Sequence, residues 1–544
     1  MKTVRNSFQS VGMLVASFTI TGLAHASNPL IKPDIRPNIL LILADDMGYS
    51  DLGCYGGEIN TPNIDKLAKE GLRFTQFYNS ARSCPTRASL LTGLYPHQAG
   101  VGDMVYRDQG GAYRGFLTDS AVTLAEVLKE AGYKTLMSGK WHVGHKEESQ
   151  WPSHRGFERF YGIHIHVDSY YRVLENCNVY LDDKVHIQGT DNPVNDINRE
   201  KEWYTTDVFT DYAIKFLEES AETTQPFFMY LAYNAPHWPL EAPTEDIEKY
   251  RGKYLIGWDR LREIKLNRMK ELGIIPGNEV LSPSENTGWN SLSTESKAEL
   301  DFRRAIYAAQ IDRLDQNIGR VIDYLEKIGK LNNTVIIFLS DNGCSNEEGM
   351  FGFHWPDFKM SNYPEWRKKG ERSASQGQAW ANASNTPFRL YKKLAHEGGI
   401  ATPFIIRWPG EIKNTGGLNT QAAHVIDIMP TLCEIAGAKY PGTFKGRDIQ
   451  KEEGISLVGV FKGDSTKYNR ELYWSHEGNS AVRTGDWKLV MRHEEKKWKL
   501  YDMSKSRSET LNVSEKYPDR VEVLKRKYDK WAERCGVREW PIPR

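Results

Sequence analysis

The sequence predicts an α/β fold, and three observations carry that prediction. Short, continuous apolar runs recur along the chain, the strongest lying within Asn38–Ala44 (NILLILA) and Thr334–Ser340 (TVIIFLS). Stretches with helical start and stop signals lie between such runs. The pattern changes only near the C-terminus, where shorter segments follow one another closely. Apolar runs without polar alternation suit strands buried on both faces, as in a parallel sheet covered by helices. Strands alternating with helices then make an α/β domain.

In chain order, Thr61-Pro62-Asn63 opens a helix after the first strand, with Thr61 as N-cap and Pro62 in the first turn; Gly71 closes it. Leu72–Tyr78 reads as the next strand. Thr123 and Glu126 have the spacing of a capping box for a helix through Ala131, which Gly132 ends. Residues 134–138 return to the sheet, and 227–233 form another buried strand. A long amphipathic helix over about 297–327 delivers the chain to Thr334–Ser340. Beyond about Lys445, residues 481–492 and 497–501 read as a short antiparallel meander and 521–534 as a terminal helix. The expected organisation is a main domain at 27–444 and a smaller C-terminal α+β subdomain at 445–544. Residues 240–296 and 350–385 read as long, polar, aromatic-rich loops, which either wall a pocket or decorate the surface.

Residues 1–26 read as an export signal. Lys2 and Arg5 precede an apolar run at 11–23, and Ala24-His25-Ala26 supplies the small-x-small pattern before Ser27. The run is short and broken by Ser and Thr, so no stable membrane anchor is expected. The expected location is periplasmic or secreted, in a bacterium. Lys+Arg and Asp+Glu both number 71, so the formal net charge is zero. That argues against a nucleic-acid binder and leaves room for a locally basic pocket that holds a small anion. The six cysteines form no CxxC pair and read as core or free thiols.

Two buried strands end in acidic or amide pairs, Asp45-Asp46 and Asp341-Asn342. In open α/β sheets function gathers beyond the carboxyl ends of strands. Three carboxylates and an amide there make an all-oxygen site for a hard divalent cation, calcium first and magnesium as the rival. Each pair alone is equally well a loop cap. Pro85 suits a first helical turn, which puts Ser83 at or just before a helix N-terminus, where orphan N–H groups and the dipole favour an anion.

The string Ser83-Cys84-Pro85-Thr86-Arg87, continuing to Leu91-Thr92-Gly93, resembles the modification motif of the type I, formylglycine-dependent sulfatases. The spacing places the modified residue at Ser83, two before Pro85 and four before Arg87, and leaves Cys84 outside the pattern. The resemblance extends over nearly all of the chain after residue 26, through Gly139-Lys140-Trp141-His142, Ala235-Pro236-His237, and Phe388-Arg389-Leu390-Tyr391-Lys392 with His396-Glu397-Gly398-Gly399. Counting back five from Glu397 selects Lys392 over Lys393. Residues 257–276 and 380–387 look like the bacterial arylsulfatase branch.

The resemblance implies an alkaline-phosphatase-like mixed sheet flanked by helices. It implies hydrolysis of sulfate esters by a formylglycine made from Ser83, with Ca²⁺ held by Asp45, Asp46, Asp341 and Asn342. A hydrated formylglycine has two geminal hydroxyls, one to attack sulfur and one to expel sulfate. Arg87, Lys140 and Lys392 would neutralise sulfate charge. Arg87 would also hold the hydroxyls in its rigid fork. His237 would protonate the leaving alcohol, His142 would act as base, and Asp341 would take a proton from the attacking hydroxyl. Implied partners are a sulfated small molecule or glycan and a maturase acting on Ser83. Two alternatives stay open: a phosphomonoester or phosphonate ester hydrolase, and a sulfated-glycan binder that is not an enzyme. The polar turn at His476-Glu477-Gly478-Asn479 either reaches the pocket rim or simply ends a strand.

Overall fold

The computed structural model describes residues 36–542 except 167–168, 175–176, 190–195, 198–201, 222, 354–361, 364–373 and 467. The expected export signal lies outside the described residues. The main sheet has eleven strands: β1 (Asn38–Ala44), β2 (Leu72–Tyr78), β3 (Lys134–Lys140), β4 (Arg159–Ile163), β5 (Val179–Leu181), β6 (Lys184–Ile187), β7 (Phe227–Ala232), β8 (Thr334–Ser340), β9 (Ala401–Arg407), β10 (Leu418–Asn419) and β11 (Ala423–His424). Their order is β10-β2-β9-β8-β1-β7-β3-β4-β5-β6, with β11 also on β2.

β1 is central and runs parallel to both β7 and β8. Its alternate residues face opposite cores. Leu40 and Ile42 join one hydrophobic cluster, Ile39, Leu41 and Leu43 the other, and all are fully buried. That is the physical reason for an apolar run without alternation. The sheet is mixed rather than parallel. β9 runs antiparallel to β2 and β8, and β5 antiparallel to β4. β9 is buried at every position, like the mutually parallel strands β1, β7 and β8, so its composition carries no sign of its direction.

The principal helices are α1 (Pro62–Glu70), α2 (Ser83–Thr92), α3 (Leu124–Glu130), α4 (Thr205–Ala221), α5 (Gly257–Glu271), α6 (Thr294–Lys327), α7 (Gly377–Ser384), α8 (Ile428–Ala436) and α9 (Pro518–Cys535). Residues of α1, α4 and α6 belong to one core, those of α2, α3 and α8 to the other, on opposite faces of the sheet. α3 carries the expected capping box. Thr61 does precede α1, but its hydroxyl makes no cap. It accepts from Gly53 N–H and donates to Asp65 instead. Residues 240–296 are not a loop, for they contain α5. All six cysteines are free thiols.

A small hairpin, β12 (Thr443–Phe444) with β13 (Arg447–Asp448), precedes a separate antiparallel meander of β14 (Glu471–His476), β15 (Asn479–Thr484), β16 (Trp487–Met491) and β17 (Trp498–Asp502). α9 packs on this meander through Leu524, Tyr528 and Trp531, forming a third core. No helix of the described residues is long and apolar enough to cross a membrane.

Candidate active site

The pairing of β1 with β8 puts Ala44 opposite Ser340, so the residues that follow each strand meet. Asp46 N–H donates to Asp341 Oδ1 at 3.2 Å, and Asn342 Nδ2 donates to Asp46 Oδ1 at 2.6 Å. Asp46 turns the chain with a φ of 68°. A left-handed backbone at a non-glycine residue costs about 1–3 kcal/mol and collects at functional sites.

α2 starts at Ser83, with Arg82 as its N-cap residue. Ser83 Oγ lies 3.1 Å from Asp45 Oδ1 and 3.3 Å from Asn342 Oδ1. Arg87 is one turn further along and wholly buried. Its Nε and Nη2 donate to Asp341 Oδ2 at 3.2 and 2.9 Å, and its Nη1 donates to the Lys140 carbonyl at 2.9 Å.

β3 delivers Lys140, whose Nζ is 2.5 Å from Asp45 Oδ2. Gly139, before it, has a φ of 115°, and a Cβ there would sit 1.9 Å from the Ala232 carbonyl oxygen. Only glycine lets β3 and β7 approach at this point. His142 follows with a φ of 61°, and neither of its buried ring nitrogens has a partner. His237, beyond β7, places Nε2 3.4 Å from Asp46 Oδ2, while its Nδ1 is 2.6 Å from the Trp238 carbonyl oxygen. Lys392 Nζ donates to Asp46 Oδ2 at 2.8 Å. Lys392 is 2% exposed, whereas the neighbouring Lys393 side chain is 31% exposed and pairs with Glu347. All ten residues singled out from the sequence therefore converge on one buried centre.

The electrostatics follow from crowding. Burial, then the Asp45 charge, pushes the Asp341 carboxyl up to about 7 against the opposing effect of Arg87. Burial works to raise Asp45 too, but Lys140, His237 and Arg87 hold it well below the usual carboxylate range. Burial, helped by Lys140 and Arg87, keeps the His142 imidazole far below its usual value. Burial also lowers His237, against the pull of Asp46. Three buried carboxylates and an amide oxygen could hold a hard cation, whose charge would offset the burial and like-charge crowding that raise Asp341. Asp45, Asp46 and His237 can also place one ligand atom each within 4.8 Å of one another.

The structure adds residues that sequence reasoning missed. Glu347 reaches Lys392, Lys393 and Arg82 at 3.7, 3.4 and 3.8 Å, and Trp238 Nε1 donates to it at 2.8 Å. Behind Asp46, Tyr307 Oη bridges the Asp46 carbonyl and Asp51 at 3.3 and 2.8 Å. No motif spacing marks either group. Asp51 in turn meets buried Lys265 and Arg304, each at 2.9 Å.

Residues 37–438 match the sulfatase family model, and residues 388–533 match a model described as the C-terminal part of N-sulphoglucosamine sulphohydrolase. The chain belongs to the sulfatase family. It is 38% identical over 523 residues to an uncharacterized sulfatase of Schizosaccharomyces pombe, covering 90% of this chain and 92% of the relative. It is 33% identical over 452 residues to the arylsulfatase of Klebsiella aerogenes, covering 82% and 95%. The solved structure of Ps i-CgsB in complex with k-i-k-neocarrahexaose matches with a TM-score of 0.66 at 25% identity, covering 91% of this chain and 93% of that one. The mixed sheet with flanking helices and a separate C-terminal sheet is the alkaline-phosphatase-like fold of sulfatases, and the chain is a sulfuric ester hydrolase.

Proposed function

We propose that this enzyme hydrolyses sulfate esters with a formylglycine made from Ser83 and a calcium ion held by Asp45, Asp46, Asp341 and Asn342. One observation carries the reading: Ser83 opens a buried helix with its Oγ within hydrogen-bond reach of both Asp45 and Asn342. A hydrated formylglycine there supplies one hydroxyl to attack sulfur and a second to expel sulfate. A bound calcium ion supplies positive charge opposite the sulfate oxygens.

The chain's own residues do the rest. Arg87, Lys140 and Lys392 meet the sulfate with fixed positive charge in a site largely closed to water. Arg87 holds Asp341, which is placed to take a proton from the attacking hydroxyl. His142 is held in its neutral form by burial, Lys140 and Arg87, the form able to accept a proton, and we assign it as the base. His237 faces the same carboxylates from the β7 side and acts as the acid for the leaving alcohol.

For substrate, we favour a sulfated carbohydrate. A cleft of about 500 Å³ adjoins Lys392 and is lined by Tyr391, Lys393, Glu477, Arg492 and Trp540. Aromatic faces with cations and carboxylates suit sugar rings bearing sulfate and hydroxyl groups. The organisation into a main domain at 27–444 and a C-terminal subdomain at 445–544 is part of this reading, with the subdomain supplying one wall of the cleft. Export, and maturation of Ser83 by a separate enzyme, belong to it as well.

The calcium reading is tested by chelation and by substitution. Chelation, Asp45→Ala or Asp341→Ala each should remove most activity on aryl and carbohydrate sulfates while circular dichroism stays near wild type. Calcium should restore the chelated enzyme. A chelated enzyme with wild-type turnover would contradict the reading, and faster turnover of aryl phosphate than aryl sulfate would favour the phosphoester alternative.

A further inference from the structure

Asp103, His476 and Glu477 form a second group of ligand-type side chains, apart from Asp45 and Asp46. Each offers one ligand atom, and these atoms all lie within 4.8 Å of one another. The group joins two distant parts of the chain. Asp103 lies just past the bridge between Val101 and Tyr113, and His476 with Glu477 sits at the tip of the β14–β15 hairpin. Glu477 holds a φ of 46° there.

Two features point to a missing ligand. His476 is 3% exposed, and neither of its ring nitrogens makes a well-formed hydrogen bond, the Gly102 backbone and the Glu477 carboxylate being its nearest polar neighbours. One Asp103 carboxylate oxygen is also buried without a partner. Unpaired buried polar atoms are uncommon and call for an explanation. These atoms are buried from water, so a sugar hydroxyl does not reach them as they stand. A bare cation is smaller and bonds at shorter range. His476 Nε2 and Glu477 Oε1 are 3.6 Å apart. Two bonds of about 2.0–2.1 Å at a tetrahedral angle give about 3.4 Å between ligand atoms.

The charges agree. Asp103 and Glu477 are the carboxylates, and Arg82 faces Glu477 from 3.7 Å. His476 is kept neutral by burial, which outweighs the two carboxylates. His97, also 2% exposed and without a partner, lies against Gly102 and is neutral as well. Arg82 is shared with Glu347, so it offsets only part of the charge of the two carboxylates beside the imidazole. One imidazole with two carboxylates favours a borderline cation over calcium, which takes oxygen ligands.

We propose that Asp103, His476 and Glu477 bind a divalent cation of the zinc type that ties the 101–103 segment to the C-terminal hairpin. Through Glu477 the ion also fixes Arg82, the residue immediately before Ser83. The site is independent of the calcium reading, and its test separates the two.

Full-length protein held in excess calcium is dialysed against zinc, and bound zinc is counted by mass spectrometry of the metal. Wild type should bind about one zinc per chain and melt at a higher temperature with zinc than without. His476→Ala and Asp103→Asn should lose zinc affinity by about a hundredfold or more, beyond the 10–100-fold typical of losing an outer-shell partner. Asp46→Asn, in the calcium site, should keep it. Glu477→Gln, at a less buried position, repeats the test if either of the first two variants misfolds. No zinc bound by wild type at micromolar free zinc would overturn the proposal. So would His476→Ala or Glu477→Gln variants that bind as tightly as wild type, or loss of zinc in Asp46→Asn with retention in the other variants.

Discussion

His142 and His237 both belong to the buried centre, and their surroundings differ: His237 faces Asp46 at 3.4 Å, whereas the ring nitrogens of His142 have no partner. His237→Ala should cost about 10²–10⁴-fold on sugar sulfates, whose leaving alcohols need a proton, and far less on nitrophenyl sulfate. His142→Ala should slow both substrates alike and leave sulfate on residue 83, visible as added mass. The reverse pattern would mean that the two roles are exchanged. At this scale the sequence was most legible where a motif fixes spacing, as around Ser83 and Arg87. It also distinguished Lys392 from Lys393, and their exposures of 2% and 31% differ in the sense that choice requires. Glu347 was not legible, because its partners Arg82 and Lys392 are far from it in sequence and only the fold brings them near. His476 was noticed only as polar. Its want of a well-formed hydrogen bond is a property of packing.

Elements position the centre by their ends. β1, β3, β7 and β8 each stop one to five residues before a residue of the site. The turn after β1 is held from behind, where Gly48 N–H and Tyr307 Oη both donate to Asp51 Oδ2 and Asp51 Oδ1 meets Lys265 and Arg304. Asp51→Ala would leave the buried cations Lys265 and Arg304 sharing the single carboxylate of Glu58. It should cost about 3–5 kcal/mol in urea unfolding and weaken calcium binding by loosening Asp46. Wild-type stability in that variant would show the network to be idle. The same network explains why α5 was hidden. Its buried face includes Arg262 and Lys265 beside Trp258, Leu261 and Met269, so charge interrupts the apolar period. The strands Asn38–Ala44 and Thr334–Ser340 were legible to the residue, because burial on both faces leaves their centres wholly apolar; Leu72–Tyr78 was legible too, although Arg73 and Gln76 are only half-buried. Their directions were not, since parallel and antiparallel central strands have the same composition.

Over the whole molecule, a buried cluster joins the meander to the sheet. Lys488 pairs with Glu397 at 3.1 Å and Glu509 at 2.8 Å, and Arg507 pairs with Glu397 at 2.8 Å. Acid should loosen the fold through its buried imidazoles. Burial brings both His164 and His424 down to about 3, from an ordinary value of about 6.5. The unfolded chain takes up these protons first. Their contribution is therefore complete above about pH 6.5 and is lost as pH falls towards 3, by up to about 1.4 kcal/mol per pH unit for each ring. The urea midpoint should fall steadily between about pH 6.5 and pH 5, and a flat or rising midpoint there would contradict this. The central claim is chemical: the whole assembly of sheet ends, helix start and cations serves a modified residue 83. Its most direct test is the mass of the tryptic peptide that contains Ser83, measured beside activity in protein made with and without a maturase. The account predicts a peptide about two daltons light in active protein, the two hydrogens lost when an alcohol becomes an aldehyde, and an unmodified peptide in folded but nearly inactive protein. Full activity with an unmodified Ser83 would contradict it.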